Sequence, residues 1–117
     1  MPKKRKLNKY YIKTISREHA LNKVLRDQKN HKGKATLLFT SLWDDVSVRL
    51  VDALKSKYTK TQPEEGLTPL YIINSYETPH AFVIFDTKTA PALVSLSGDD
   101  VHKENYVPNI YHKLGVD

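Results

Sequence analysis

Apolar positions along this chain fall alternately into short dense runs and into stripes at helical spacing, and that change of rhythm predicts its elements. "YYIKTI" (10–15) is rich in aromatic and β-branched residues and predicts a strand. Ser16 stands as N-cap to a helix over "REHALNKVLRDQKN", with Glu18 in the first turn, where an acid complements the helix dipole. Ala20, Leu21, Val24 and Leu25 give that helix one apolar face, and Gly33 stops it. "ATLLFTSL" (35–42) is a continuous apolar run, the pattern of a strand covered on both faces. Asp44 or Asp45 then caps a helix whose stripe is Val46, Leu50, Ala53 and Leu54. "TKTQPEEGLTP" (59–69) has no periodicity, two prolines and a glycine, and predicts a loop before the buried strand "LYIIN" (70–74).

"ETPHAFVIFD" (77–86) fits two periods. Its apolar run suits a strand, but Thr78 followed by Pro79 is a helix start, and Ala81, Phe82 and Phe85 then share a face. The helical reading is the one expected. "ALVSLS" (92–97) predicts another strand, ended by "GDD". "KENYVPNIYHKLGV" predicts a last helix with Pro108 in its first turn, where a missing N–H costs nothing. Strands alternating with helices argue for an α/β sandwich with an at least partly parallel sheet.

Two stretches resemble the thioredoxin-like family. In "LLFTSLWDDVS" a buried strand leads to Trp43 at the position of the family's Trp-Cys-x-x-Cys tryptophan, at the mouth of a long helix. In "FDTKTAPALVSL" Phe85 is followed six residues later by Pro91 and then an apolar strand, as in the family's cis-proline segment, with Gly98 near its β-turn glycine. The resemblance runs from about residue 10 to the C-terminus. It implies a three-layer sandwich, a central mixed sheet of four or five strands flanked by helices, and a cis Ala90–Pro91 bond. Only "DDVHK" is available for the family's fifth, antiparallel strand.

The departures carry as much meaning. Asp44 and Ser47 stand where the attacking and resolving cysteines would be, and Leu38 stands where the family keeps a buried acid five residues before the tryptophan. Disulfide exchange needs a thiolate, and neither a carboxylate nor a hydroxyl replaces one. The chain contains no cysteine at all, which also excludes disulfides and Cys-ligated metal. The corner therefore has the form of an active-site frame with its chemistry removed.

Charge adds a second feature. Residues 1–34 hold twelve Lys or Arg against Glu18 and Asp27, a balance of +10, whereas residues 35–117 sum to −4. "MPKKRKLNK" (1–9) carries five of the positive charges and almost nothing to bury, so it is expected to be a disordered arm on a single domain spanning 10–117. Lys3, Lys4, Arg5, Lys6 and Lys9 suit contact with nucleic acid or an acidic partner. "PKKRKL" also resembles a nuclear import signal, a short pattern with many chance matches. Tyr10 and Tyr11 beside the arm could stack on bases, although a strand explains them as well.

Other chemistry weighs less. Asp44 and Asp45 are adjacent, point in different directions at a helix start and have no third ligand near in sequence, so cap and dipole complement explain them better than a metal. Ser47 as a nucleophile resembles the serine of glutathione transferases, but this chain has no room for their second domain. His19, His31, His80, His102 and His112 are scattered without ligand spacing. No run approaches a membrane span, and no secretory pattern opens the chain. No residue set supports an enzyme, a cofactor or a small-molecule substrate. The expectation is an intracellular, cytoplasmic or nuclear, redox-inactive binding or structural subunit. Its docking groove comprises Trp43, Asp44, Asp45, Ser47, Ala90 and Pro91, its partner is a protein or nucleoprotein assembly, and its arm suits electrostatic attachment.

Overall fold

The computed structural model describes residues 10–31, 33–58 and 68–116. The elements run β1 (Tyr10–Ile15), α1 (Glu18–His31), β2 (Lys34–Thr40), α2 (Asp45–Tyr58), β3 (Thr68–Asn74), α3 (Pro79–Ile84), β4 (Ala92–Ser97), β5 (Asp100–Glu104) and α4 (Val107–Leu114). The strands form one mixed sheet in the order β1-β3-β2-β4-β5. β1 and β2 both run parallel to β3, while β4 is antiparallel to β2 and to β5.

Alternation within the strands splits the core into two layers. Leu37 and Phe39 of β2 point to one face with Ile15, Ile73 and Val94, where Leu21 of α1 and Ala81 of α3 cover them. Phe39 meets Phe82 and Phe85 edge-on, at ring-centroid distances of 4.9 and 5.7 Å. Leu38 points the other way with Leu70 and Leu93, beneath Leu50, Leu54 and Tyr58 of α2 and Ile110 and Leu114 of α4. Leu38 is fully buried among these apolar side chains, which accounts for a leucine there.

The sequence misplaced several boundaries. α1 begins at Glu18, and the carbonyl of Arg17 accepts the Leu21 amide at 3.2 Å, so Ser16 lies outside the cap position. Ala20, expected on its apolar face, is exposed. β2 ends at Thr40, leaving Ser41 and Leu42 to the following turn. β3 begins at Thr68 rather than Leu70. Pro69 is tolerated there because that end of β3 pairs with β1 alone, and pairing with β2 starts at Leu70. Residues 77–86 do contain a helix. Thr78 occupies its N-cap, but the hydroxyl donates back to the Asn74 carbonyl at 3.2 Å instead of capping. Pro108 lies in the first turn of α4, and Gly115 ends that helix at φ 71°, a left-handed conformation that favours glycine. "DDVHK" does form part of a fifth strand. The expected arm and most of the 59–69 loop lie outside the described residues.

Candidate functional site

The carboxyl ends of the three parallel strands meet the amino end of α2, the place where open α/β sheets present ligands and partners. β2 leaves the sheet at Thr40 and turns through Ser41–Asp44. The Asp44 amide donates to the Ser41 carbonyl and the Trp43 amide to Ser41 Oγ, both at 3.2 Å. The turn is tied to its neighbour, because the Ser75 amide donates to the Thr40 carbonyl at 3.0 Å. On that neighbour, Asn74 Oδ1 accepts the Tyr76 amide at 2.7 Å, a side-chain-closed turn that sets the path into α3.

Asp44 is the N-cap of α2. Its Oδ2 accepts the Ser47 amide at 2.9 Å and the Ser47 hydroxyl at 2.8 Å, while its carbonyl accepts the Val48 amide at 3.0 Å. One carboxylate oxygen thus satisfies two donors, and Ser47 is wholly buried beneath it. Asp45 is exposed in the first turn. Among the described residues no group of three or more His, Cys, Asp or Glu side chains is placed to hold a metal ion.

The six residues expected to form a groove do not share one surface. Trp43 is 83% exposed and not packed away against the proline segment. The Ala90–Pro91 bond is cis, and the Phe39–Ala92 register sets Pro91 beside the end of β2, next to the Trp43 turn. Pro91 itself is buried, and Ala90 half-buried. Ser47 faces the interior, so as a groove-lining contact it must be withdrawn: the bond to Asp44 and the stripe of α2 turn it inward. Lys3, Lys4, Arg5, Lys6 and Lys9 lie outside the described residues.

Other residues at this end were not singled out from the sequence. Leu42, on the same turn as Trp43, and Tyr76, on the turn that the Ser75–Thr40 bond ties to it, are 56% and 72% exposed, so this end of the sheet carries three exposed large apolar side chains. Next to them lies a cavity of about 280 Å³, whose lining includes Thr14, Thr40, Ser47, Val51 and Asn74. The signal for it was present: on the face covered by α2, each parallel strand ends on a polar side chain (Thr14, Thr40, Asn74) after apolar ones.

No protein-family model matches the sequence, and no curated protein matches it. Solved structures do match the fold. A thioredoxin of Schistosoma mansoni superposes with a TM-score of 0.68 at 9% identity, over 90% of this chain and 94% of that one. A thioredoxin of Nicotiana alata gives 0.66 at 13%, over 96% and 95%. The germline-specific thioredoxin Deadhead of Drosophila melanogaster gives 0.64 at 13%, over 87% and 98%. With the mixed five-stranded sheet, four flanking helices and the absence of cysteine, the chain has the thioredoxin fold and no thiol with which to carry out thioredoxin redox chemistry.

Proposed function

We propose that this chain is a non-catalytic binding or structural subunit of a larger protein or nucleoprotein assembly, docking through the face around Trp43 and the neighbouring Pro91 segment. The observation that carries the reading is Trp43, 83% exposed and flanked by the exposed Leu42 and Tyr76. Leaving a large aromatic in water is unfavourable unless a partner covers it, and tryptophan and tyrosine are enriched among the residues that dominate binding energy. Asp44 and Ser47, the other candidates for chemistry, hydrogen-bond to each other and hold the helix start. The docking surface is accordingly Trp43, Leu42 and Tyr76, with Asp45 and Ala90 at its margin. The basic segment 1–9 supplies electrostatic attachment, and the setting is the cytoplasm or the nucleus.

Affinity purification from the native source, with and without nuclease, tests this. Partners that survive nuclease and are lost with Trp43→Ala support the reading, and partners that both forms retain equally would sink it.

A second reading rests on the +10 balance of residues 1–34. It is nucleic-acid binding by the basic segment and α1, whose His19, Lys23 and Arg26 are exposed. Here log affinity should fall steeply with log salt, and deleting residues 1–9 should reduce that slope by about the number of charges in contact.

A further inference from the structure

We propose that the cavity at the carboxyl ends of β1, β2 and β3 binds a small neutral molecule bearing an amide or lactam group. The cavity borders the docking face, with Leu42 common to both, and the titration that tests it uses the chain without a protein partner, so its outcome does not depend on whether one covers Trp43.

The cavity is built by register. Thr14 is the neighbour of Ile72 across β1 and β3, and Thr40 the neighbour of Asn74 across β2 and β3. These side chains point to the α2 face, whose deeper part is apolar, with Leu38 and Leu70 buried. Val48 and Val51 of α2 wall the space with Leu42. At about 280 Å³ it exceeds the ~150 Å³ that suffices to hold benzene in an apolar cavity, so a ring with one polar substituent fits.

Its polar groups have fixed roles. Asn74 is only 8% exposed. Its Oδ1 is taken by the Tyr76 amide, and its Nδ2 has no hydrogen-bond partner among the described residues, although no buried polar atom is left sealed away without one. Two N–H donors are therefore left for the cavity that Asn74 lines. Thr40 Oγ1 spends its proton on the Ile73 carbonyl at 3.0 Å, whereas Ser47 Oγ is wholly buried and held by Asp44. The Thr40 hydroxyl can only accept from anything else. A site with paired donors beside an acceptor is matched by one planar unit carrying C=O and N–H together.

Charge selects against ions. Asn74, Thr40 and Ser47, the buried polar groups, are all neutral, while Asp52, Lys55 and Glu77 are exposed. A charged ligand would surrender its hydration without a buried countercharge. A neutral amide has less hydration to lose and recovers its hydrogen bonds.

The test is a ¹H–¹⁵N shift titration of the full chain with benzamide, against its near-isosteres benzoate and benzylamine. Benzamide should produce saturable shifts in the Asn74 side-chain NH₂ and in the Ser47 and Val48 amides, with benzoate and benzylamine about tenfold weaker or worse. Asn74→Leu should abolish binding. Because that change also removes the bond to Tyr76, Val51→Phe serves as the second variant: it fills the cavity without touching its polar groups, and should abolish binding in a chain whose spectrum remains folded. Absence of saturable shifts with benzamide, equal binding of benzoate, or undiminished binding by folded Val51→Phe would each overturn the proposal.

Discussion

Replacing Asp44 with alanine removes a single carboxylate, yet the geometry assigns it two donors. The first loss is the cap on the Ser47 amide, worth about 0.5–2 kcal/mol and typically ~1. The second is the acceptor for the Ser47 hydroxyl, which is wholly buried, and stranding such a group costs ~1–3 kcal/mol. Part of that is recovered, since a helical hydroxyl can turn toward the carbonyl three residues back, here that of Asp44. The expected total is about 2 kcal/mol, roughly twice a simple cap. At some 4 °C or more per kcal/mol for a domain of this size, the melting temperature should fall by about 8 °C. Urea unfolding followed by circular dichroism gives the free energy, with an unchanged slope expected because the folded surface is the same. Asp44→Asn keeps an acceptor oxygen and should cost well under half as much. Pairing Asp44→Ala with Ser47→Ala in a double-mutant cycle should show coupling of about 1 kcal/mol, because the second change removes the stranded hydroxyl. A loss below ~0.3 kcal/mol for Asp44→Ala, or an Asn variant as damaged as the Ala one, would refute the reasoning.

Three further outcomes follow from the packing. Tyr10, Tyr58 and Tyr71 titrate above the ordinary 10.0, chiefly because burial disfavours the phenolate. Their contribution is thus intact below about pH 10, and urea midpoints should fall as pH rises from there toward the raised native values. Tyr58→Phe should blunt that alkaline fall, while costing about 1 kcal/mol at neutral pH through the lost 2.8 Å bond to the Leu114 carbonyl. Phe39→Ala, in the middle of the cluster with Phe82 and Phe85, should cost ~3–5 kcal/mol by urea unfolding. Trp43→Ala should change stability by less than ~0.5 kcal/mol, since an exposed side chain has little packing to lose.

The strand-and-helix order was legible because period is a local property. Residues 35–40 and the stripe residues Leu50 and Leu54 of α2 are buried as their period predicts, whereas Leu42, at the end of the same apolar run, is exposed. The helix at 79–84 was legible through Thr78 and Pro79, although the same apolar run also suited a strand. Boundaries failed where tertiary pairing decided them: Thr68 and Pro69 have loop chemistry, but β1 supplies neighbours that make them strand. At the site, the Asp44 cap could be read from residue type. The inward turn of Ser47 was legible too, since it lies three residues before Leu50 on the stripe of α2, but a hydroxyl there gives no apolar signal of its own. The polar strand ends Thr14, Thr40 and Asn74 were visible in the sequence, but that they meet in one cavity, and that Tyr76 stands exposed at the same edge, follows only from the strand register.

The most direct test of the central claim places a photo-crosslinking residue at the proposed contact. Trp43→p-benzoylphenylalanine in the full chain would be irradiated in the native source with and without nuclease treatment. Val83→p-benzoylphenylalanine is the control, since Val83 is 71% exposed on α3, which packs on the opposite face of the sheet from α2. Discrete protein adducts from position 43 and none of the same species from position 83 are predicted. Identical adducts from both positions, or adducts at position 43 that consist only of nucleic acid and vanish with nuclease, would contradict it.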